Sequence, residues 1–451
     1  MFCDHVLYRS YADKGYVLNL NTNRSYVFDE TAAFILSRIA TGEEDEKRIS
    51  EALAREYDVS SAEETRRDTA DFLRMLRREG ILAPVAVEQP GPMPEDHITD
   101  YCWAHHRLMA VSLELTYRCN ERCVHCYTCD APKEKTGEMT AEEYFRLMDE
   151  LRDLGVNELV LSGGEIGTRP DLSRIYRYAS ERGFLVTLMT NGTLFTPEQM
   201  EMFYAYPPKI VYVSFYGGSP ETHDRVTQVP GSFKKSLDTV MRLKCAGIAV
   251  GLKTVAMTPT ADDFPNIVKL AERLRVGLGT GMYLTCGNNG STDPARYRLT
   301  DLRDYERVVE AKQKYPKART PYRVRDVNGP ICEAGVMAFT VNPYGDYYVC
   351  TSLPVPCGNV RTTPVAEFWE HDPLLQKIRS LRFSDTGCGE CEYRNECVYC
   401  VGANYVETGG LFAVQEGHCL AAKAYHRYFA EQMNNGEGQS SLSGRENGSD
   451  C

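Results

Sequence analysis

Cysteine constrains this chain more than any other residue: there are 17 in 451 residues, and most fall into two dense stretches. Cys119, Cys123 and Cys126 form a C-x3-C-x2-C run, and Cys332, Cys350, Cys357, Cys388, Cys391, Cys397, Cys400 and Cys419 crowd the last third. A lone cysteine is ordinarily a small buried hydrophobe, which suits scattered ones such as Cys245 and Cys286 but not these spacings. Residues 1–14 alternate polar and apolar side chains without an export signal, so the thiols are expected to stay reduced in a cytoplasmic chain. Ligation of a soft metal is then the leading explanation.

The remaining composition narrows the field. With 43% hydrophobic residues the chain can bury a large core, and its length suggests two or three domains. No segment approaches the roughly 20 apolar residues of a membrane span. A formal net charge of -12 disfavours nucleic acid, which needs clustered Lys and Arg.

Three blocks and a tail are expected. Residues 1–83 open with strand-like runs at His5 to Ser10, Gly15 to Leu20 and Ser25 to Phe28, the last two joined by Asn21-Thr22-Asn23. Three helices follow: one capped by Asp29 and ending near Gly42, one with Ile49, Leu53 and Tyr57 on a face, and one through Phe72, Leu73 and Leu76 to Gly80. This is a small winged-helix-like α+β module. Residues 84–106, with Pro84, Pro90, Pro92 and Pro94 among acidic residues, read as an extended linker. Over 107–325 strands and helices alternate, with strands expected at Met109 to Leu115, Glu158 to Leu161, Leu185 to Met189, Ile210 to Phe215, Val250 to Val255 and Gly281 to Leu284. The fold class is therefore α/β, a partial (β/α)6 barrel whose ligands gather at the C-terminal ends of its strands. From about Pro330 periodicity weakens while cysteine accumulates over 326–433, as where clusters replace a core. Residues 434–451, rich in Gly, Ser and Asn, are expected to be a disordered tail.

The loop after the first barrel strand, Cys119-Asn120-Glu121-Arg122-Cys123-Val124-His125-Cys126-Tyr127, can wrap three thiolates around one iron cube. Three ligands leave one of four irons open to a cofactor, the logic that separates catalytic from structural zinc. Zinc, with His125 nearby, is the alternative. The loop, with an aromatic residue after its last cysteine, resembles that of the radical SAM superfamily. The resemblance implies that the open iron chelates S-adenosylmethionine, which an injected electron cleaves to a hydrogen-abstracting 5'-deoxyadenosyl radical. It also assigns cofactor contacts to Tyr127, to Gly163, Gly164 and Glu165 of Ser162-Gly163-Gly164-Glu165, to Asn191 of Thr190-Asn191-Gly192, and to Ser214 at the fourth strand end. Glycine permits close backbone approach and the acid suits the cofactor's ammonium. Where many relatives carry an arginine four residues after the equivalent of His223, this chain has Thr227, so the cofactor carboxylate lacks an assigned cation.

The later cysteines, C-x12-G-x4-C followed by C-x2-C-x5-C-x2-C-x18-C, resemble the SPASM domain, although the family usually has three residues where Cys397 and Cys400 enclose two. The resemblance implies an outer 4Fe-4S cluster on Cys388, Cys391, Cys397 and Cys419 and an inner one on Cys332, Cys350 and Cys400. Cys357 either completes the inner cluster or leaves an iron open to a substrate thiolate. A zinc ribbon is the alternative for the C-x2-C pairs.

Tyr16 to Thr22, Tyr26 to Thr31 and Gly80-Ile81-Leu82 resemble the PqqD-like recognition element of peptide-modifying systems. The resemblance implies that a leader peptide adds as a strand beside Ser25 to Phe28 and packs on a helix at about Ala62 to Arg78. A DNA-binding winged helix is the alternative, disfavoured by charge. Together the three resemblances imply an enzyme with three 4Fe-4S clusters and S-adenosylmethionine that modifies a ribosomally made peptide. A Cys thioether, as in sactipeptide and ranthipeptide synthases, is expected first. Carbon-carbon crosslinking, epimerisation and anaerobic sulfatase-type maturation are the alternatives. An external electron donor such as flavodoxin or ferredoxin is implied, but no nucleic acid and no membrane. His223, Lys253 and Tyr283 are equally open as the final base.

Overall fold

The computed structural model describes residues 2–3, 6–11, 14–19, 24–43, 45–57, 61–82, 105–128, 137–320, 322 and 324–434. They form two compact units, one from Met1–Met109 with Arg152–Gly155 and one from Ala110–Leu151 with Val156–Cys451. The expected linker lies outside the described residues except for 105–106, as do the Asn21–Asn23 turn and residues 435–451 of the expected tail.

In the first unit β1 (Val6–Tyr11), β2 (Lys14–Asn19) and β3 (Arg24–Phe28) form an antiparallel sheet in chain order. Each helix starts where a side-chain oxygen caps its first turn. Asp29 caps α1 (Glu30–Ala40), Asp45 caps α2 (Glu46–Glu56) and Ser61 caps α3 (Ala62–Arg78). Val17, Leu36, Ile49, Leu76 and Ile81 close the core without exposure. Asn19 is buried with them and donates its amide to Glu79 O at 3.0 Å, tying β2 to the end of α3.

The second unit is built on one eight-stranded sheet. Six parallel strands run in spatial order β4 (Ala110–Glu114), β5 (Glu158–Ser162), β6 (Leu185–Thr190), β7 (Ile210–Ser214), β8 (Val250–Val255) and β9 (Gly277–Gly281). Alternation decides their faces: Val111, Leu113, Leu159, Leu161, Val211 and Val213 are fully buried, while Ser112, Val160, Tyr212 and Ser214 between them are half-buried. The sheet does not close, so the expected partial barrel is the observed one.

The sixth strand departs from expectation. It is Gly277–Gly281, not Gly281 to Leu284. Its alternating glycines lack strand propensity, which hid it. A neighbour's bulk accounts for the middle one: a Cβ on Gly279 would lie 2.8 Å from Lys253 Nζ on β8, whose ammonium stands 4.8 Å from the Tyr212 ring centroid.

The cysteine-rich segment also holds more regular structure than its sequence implies. Ala338–Val341 forms β10, parallel to β4 with Ala338 opposite Ala110, and pairs antiparallel with β11 (Tyr347–Tyr348). Strands of four and two residues are too short to display a period, so sequence alone missed them. The segment thus extends the barrel sheet. It is also pinned by Arg361, whose guanidinium donates to both carboxylate oxygens of Glu143 at 2.7 and 3.3 Å and to Tyr344 O and Gly137 O. Glu143 lies on α4 (Ala141–Asp153).

Arg361 holds the Glu143 carboxyl down at about 2, from an ordinary 4.5. A depressed carboxylate stabilises the fold at pH values above 4.5 and loses that contribution as pH falls towards 2. Because Arg361 is partly exposed, the expected contribution is about 1 kcal/mol. Urea midpoints should therefore show Glu143→Gln less stable than wild type at neutral pH, with the gap closing in acid. A gap independent of pH would contradict the assignment.

Candidate iron-sulfur and cofactor site

The C-x3-C-x2-C loop leaves the end of β4 and is held on three sides by backbone bonds. Glu165 N donates to Arg118 O at 2.8 Å, Arg122 N and Val124 N to Thr227 O and Val226 O at 3.0 Å, and Asn288 N to Tyr127 O at 2.9 Å. Cys119, Cys123 and Cys126 are each partly exposed and stand near enough to feel one another's charge. Burial and nearby acids push the Cys119 thiol up to about 11 and Cys123 well above its usual value, each raised further by neighbouring loop cysteines. Bound iron reverses this cost, because a metal favours the thiolate. Two buried polar atoms on the loop, Glu121 Oε1 and His125 Nδ1, have no hydrogen-bond partner among the described residues. Burial pushes Glu121 up to about 7 and His125 down to about 4. Thiols with partial access and unsatisfied polar atoms beside them fit an iron-sulfur cluster that keeps one open position.

The other expected contacts surround this loop. A Cβ on Gly163 or Gly164 would collide with the backbone of Thr116 or Arg118, so these glycines let the β5 turn pack on the segment leading into the cysteines. Glu165 is fully buried, and its carboxylate accepts from Gly167 N at 2.8 Å, Thr190 Oγ1 at 2.8 Å and Asn191 N at 2.6 Å. Burial raises its pKa, opposed by those three bonds. In this structure the acid links the ends of β5 and β6. Asn191 reaches the loop directly, donating to Asn120 Oδ1 at 2.9 Å with Cys119 Sγ at 3.9 Å. The hydroxyl of Tyr127 donates to Glu114 Oε1 at 2.8 Å.

Ser214 ends β7 opposite Lys253. Thr227, in the position of the missing arginine, is fully buried with its hydroxyl 2.7 Å from Ser232 Oγ. The three candidate bases separate. His223 is buried, accepts from Tyr216 N at 3.1 Å, and is pushed down to about 4 by burial. The Tyr283 hydroxyl donates to Glu407, which Arg298 also binds, and burial holds the phenol well above its usual value. Lys253 alone projects from a half-buried strand position towards the ring of Tyr212.

Among the later cysteines, Cys397 is raised to about 12, first by burial, and Cys419, Cys388 and Cys391 stand near enough for it to feel their charges. Cys400 caps the helix Val401–Thr408, and a Cβ on Gly402 would meet Ser352 O at 2.5 Å, which sets that helix start on the turn after Cys350. Cys332 Sγ accepts from Ala334 N at 3.4 Å. Cys357 stands differently: its thiol donates to Val355 O at 3.4 Å, and its charged neighbour is Asp372.

Comparison with known proteins decides the family. Residues 113–271 match the radical SAM superfamily, residues 15–82 match coenzyme PQQ synthesis protein D, and residues 332–395 match the SPASM iron-sulfur cluster-binding domain. The AdoMet-dependent heme synthase of Methanosarcina barkeri is 30% identical over 334 residues, covering 69% of this chain and 95% of that protein. The chain belongs to the radical SAM superfamily. Its three matched segments have the arrangement of a radical SAM/SPASM peptide maturase with a PqqD-like recognition element. The subtilosin biosynthesis protein AlbA of Bacillus subtilis is 28% identical over 304 residues, covering 64% of this chain and 66% of that protein. Streptococcus suis SuiB, solved with its precursor peptide SuiA, shares the fold with a TM-score of 0.62 at 15% identity, covering 91% of this chain and 97% of that one. This radical SAM enzyme is thus equipped for iron-sulfur clusters and S-adenosylmethionine. No helix among the described residues is long and apolar enough to cross a membrane.

Glu165→Ala would remove the acceptor of two buried donors and one partly buried one and should cost about 3 kcal/mol in chemical denaturation. Glu165→Gln, which keeps an acceptor, should cost less. A loss under about 1 kcal/mol for the alanine variant would contradict the bracing role.

Proposed function

We propose that this enzyme modifies a ribosomally made peptide by abstracting hydrogen from carbon, and that the favoured product is a Cys thioether crosslink. The observation that carries this reading is a PqqD-type unit on the same chain as a radical SAM barrel and a thiol-rich domain. In this reading residues 1–83 recognise the leader, 84–106 link, 107–325 form the barrel, 326–433 carry the auxiliary clusters and 434–451 form a tail. Cys119, Cys123 and Cys126 hold the radical cluster. Cys388, Cys391, Cys397 and Cys419 hold the outer auxiliary cluster, and Cys332, Cys350 and Cys400 the inner one, with Cys357 in reserve. Bound S-adenosylmethionine supplies the hydrogen-abstracting radical. Tyr127, Gly163, Gly164, Glu165, Asn191 and Ser214 line its place, and a flavodoxin or ferredoxin supplies electrons in a cytoplasmic setting.

The leader has a fitting surface. β3 is the outer strand of its sheet, and Phe28 on it meets Phe72 of α3 edge to face at 5.3 Å. An added strand would bond along β3 and set apolar side chains against those rings.

A second reading draws on the 30% identity to the heme synthase across 95% of its length. It predicts turnover of a porphyrin precursor without any peptide. The test is anaerobic incubation with short cysteine-containing peptides encoded beside the gene, followed by mass spectrometry. A product lighter by a pair of hydrogens and resistant to thiol alkylation supports the thioether. Unchanged mass in ordinary water, with uptake of one deuterium at an α-carbon in heavy water, points to epimerisation, and porphyrin turnover with inert peptides sinks the peptide reading. Phe72→Ala should weaken binding of such a leader about tenfold. Undiminished affinity would contradict docking on α3.

A further inference from the structure

Behind the cysteine loop, at the end of β4, stands a buried acid that neither the ligand set nor the cofactor contacts use. Glu114 ends β4, five residues before Cys119, and is 1% exposed. Its carboxylate accepts two phenols, one on each oxygen: Tyr127 on Oε1 at 2.8 Å and Tyr117 on Oε2 at 2.9 Å. Those tyrosines flank the loop, Tyr117 before Cys119 and Tyr127 directly after Cys126. The chain leaves β4, makes the whole C-x3-C-x2-C excursion and returns to the same side chain. The rest of the surroundings are neutral at this carboxylate: Tyr144 from α4 donates to Glu114 O at 3.4 Å, and Tyr348 from β11 stands close enough to feel the acid's charge.

We propose that Glu114 is a positioning residue for the radical cluster, a two-oxygen bracket that closes the cysteine loop from both ends and fixes the ring of Tyr127 beside the cofactor's place. Acid-base chemistry on substrate is a poorer fit, because both oxygens are committed and the group is sealed from the cleft. Carboxylate is the side chain the geometry calls for. It offers an acceptor to each of two donors, whereas glutamine offers one acceptor and a donor, and aspartate is a methylene shorter. Partners that hold a metal's ligands without touching the metal are worth about 10- to 100-fold in affinity or activity. The bracket supplies that support at the loop whose thiols would hold iron.

The inference rests on the radical reading, and the test separates the two. Full-length wild type, E114Q, Y117F and Y127F are reconstituted anaerobically with iron and sulfide, reduced with dithionite, and examined by electron paramagnetic resonance with and without S-adenosylmethionine. The phenylalanine variants keep the rings and remove single hydroxyls, so they remain informative if E114Q folds poorly. The expected result is that auxiliary-cluster signals and thermal melting stay near wild type. The S-adenosylmethionine concentration needed to shift the radical-cluster signal should rise about 10- to 100-fold in E114Q and Y127F. A wild-type response in E114Q and Y127F overturns the proposal. So does a parallel loss of every cluster signal with a lowered melting temperature, which marks a role in folding alone. A wild type that loads iron on the loop yet shows no response to S-adenosylmethionine sinks the radical reading instead. Iron retention at the loop in the three variants then judges the bracket by itself: selective loss supports it and full retention overturns it.

Discussion

No side chain fits between the Gly163-Gly164 turn and the backbone of Thr116 and Arg118, and the open end of the barrel is organised around that contact. It brings the β5 turn against the segment that enters the cysteine loop, where Gly164 N donates to Thr116 O and Glu165 N to Arg118 O. Glu165 then reaches across to β6, and Asn191 at that strand end reaches back to Asn120. The loop that carries the three thiols is thus held by a circuit of short links between strand ends, buried at Glu165 and partly buried at Asn120. Such preorganisation suits a site that must bind iron and a charged cofactor without rearranging.

The same economy of contacts joins the barrel to the cysteine-rich segment. β10 continues the parallel sheet beyond β4, Arg361 grips Glu143, and Glu407 receives both Tyr283 and Arg298 from the segment after β9. Elements more than 100 residues apart in sequence are joined by charge-assisted bonds, and those to Glu407 lie at partly buried positions, where they carry more weight than the exposed Arg361–Glu143 pair. These ties fix the geometry of the segment in which the later cysteines sit.

What could be read from sequence followed from periodicity and spacing. Asp29 caps the first helix as its position implied, five barrel strands fall where apolar runs placed them, and the cysteine spacings carried the family. The sixth strand lies elsewhere than expected because Gly277, Gly279 and Gly281 carry no apolar signal, and the reason for Gly279 lies in a neighbour's bulk, Lys253, that only the fold reveals. β10 and β11 were too short to show a pattern. Glu114 was invisible for another reason: it reads as the last residue of an ordinary strand until Tyr117 and Tyr127 converge on it. The surroundings of Tyr283 and His223, buried with Glu407 and Tyr216 N as partners, are likewise something a sequence does not display.

The central claim is that Cys119, Cys123 and Cys126 hold a cluster that cleaves S-adenosylmethionine while the later cysteines hold two more. It is tested most directly by iron and sulfide content, with 5'-deoxyadenosine release under dithionite, for wild type and for the Cys119→Ala/Cys123→Ala/Cys126→Ala variant. The account predicts about twelve irons falling to about eight, with nucleoside release abolished. Zinc in place of iron, or no nucleoside from iron-loaded wild type, would contradict it.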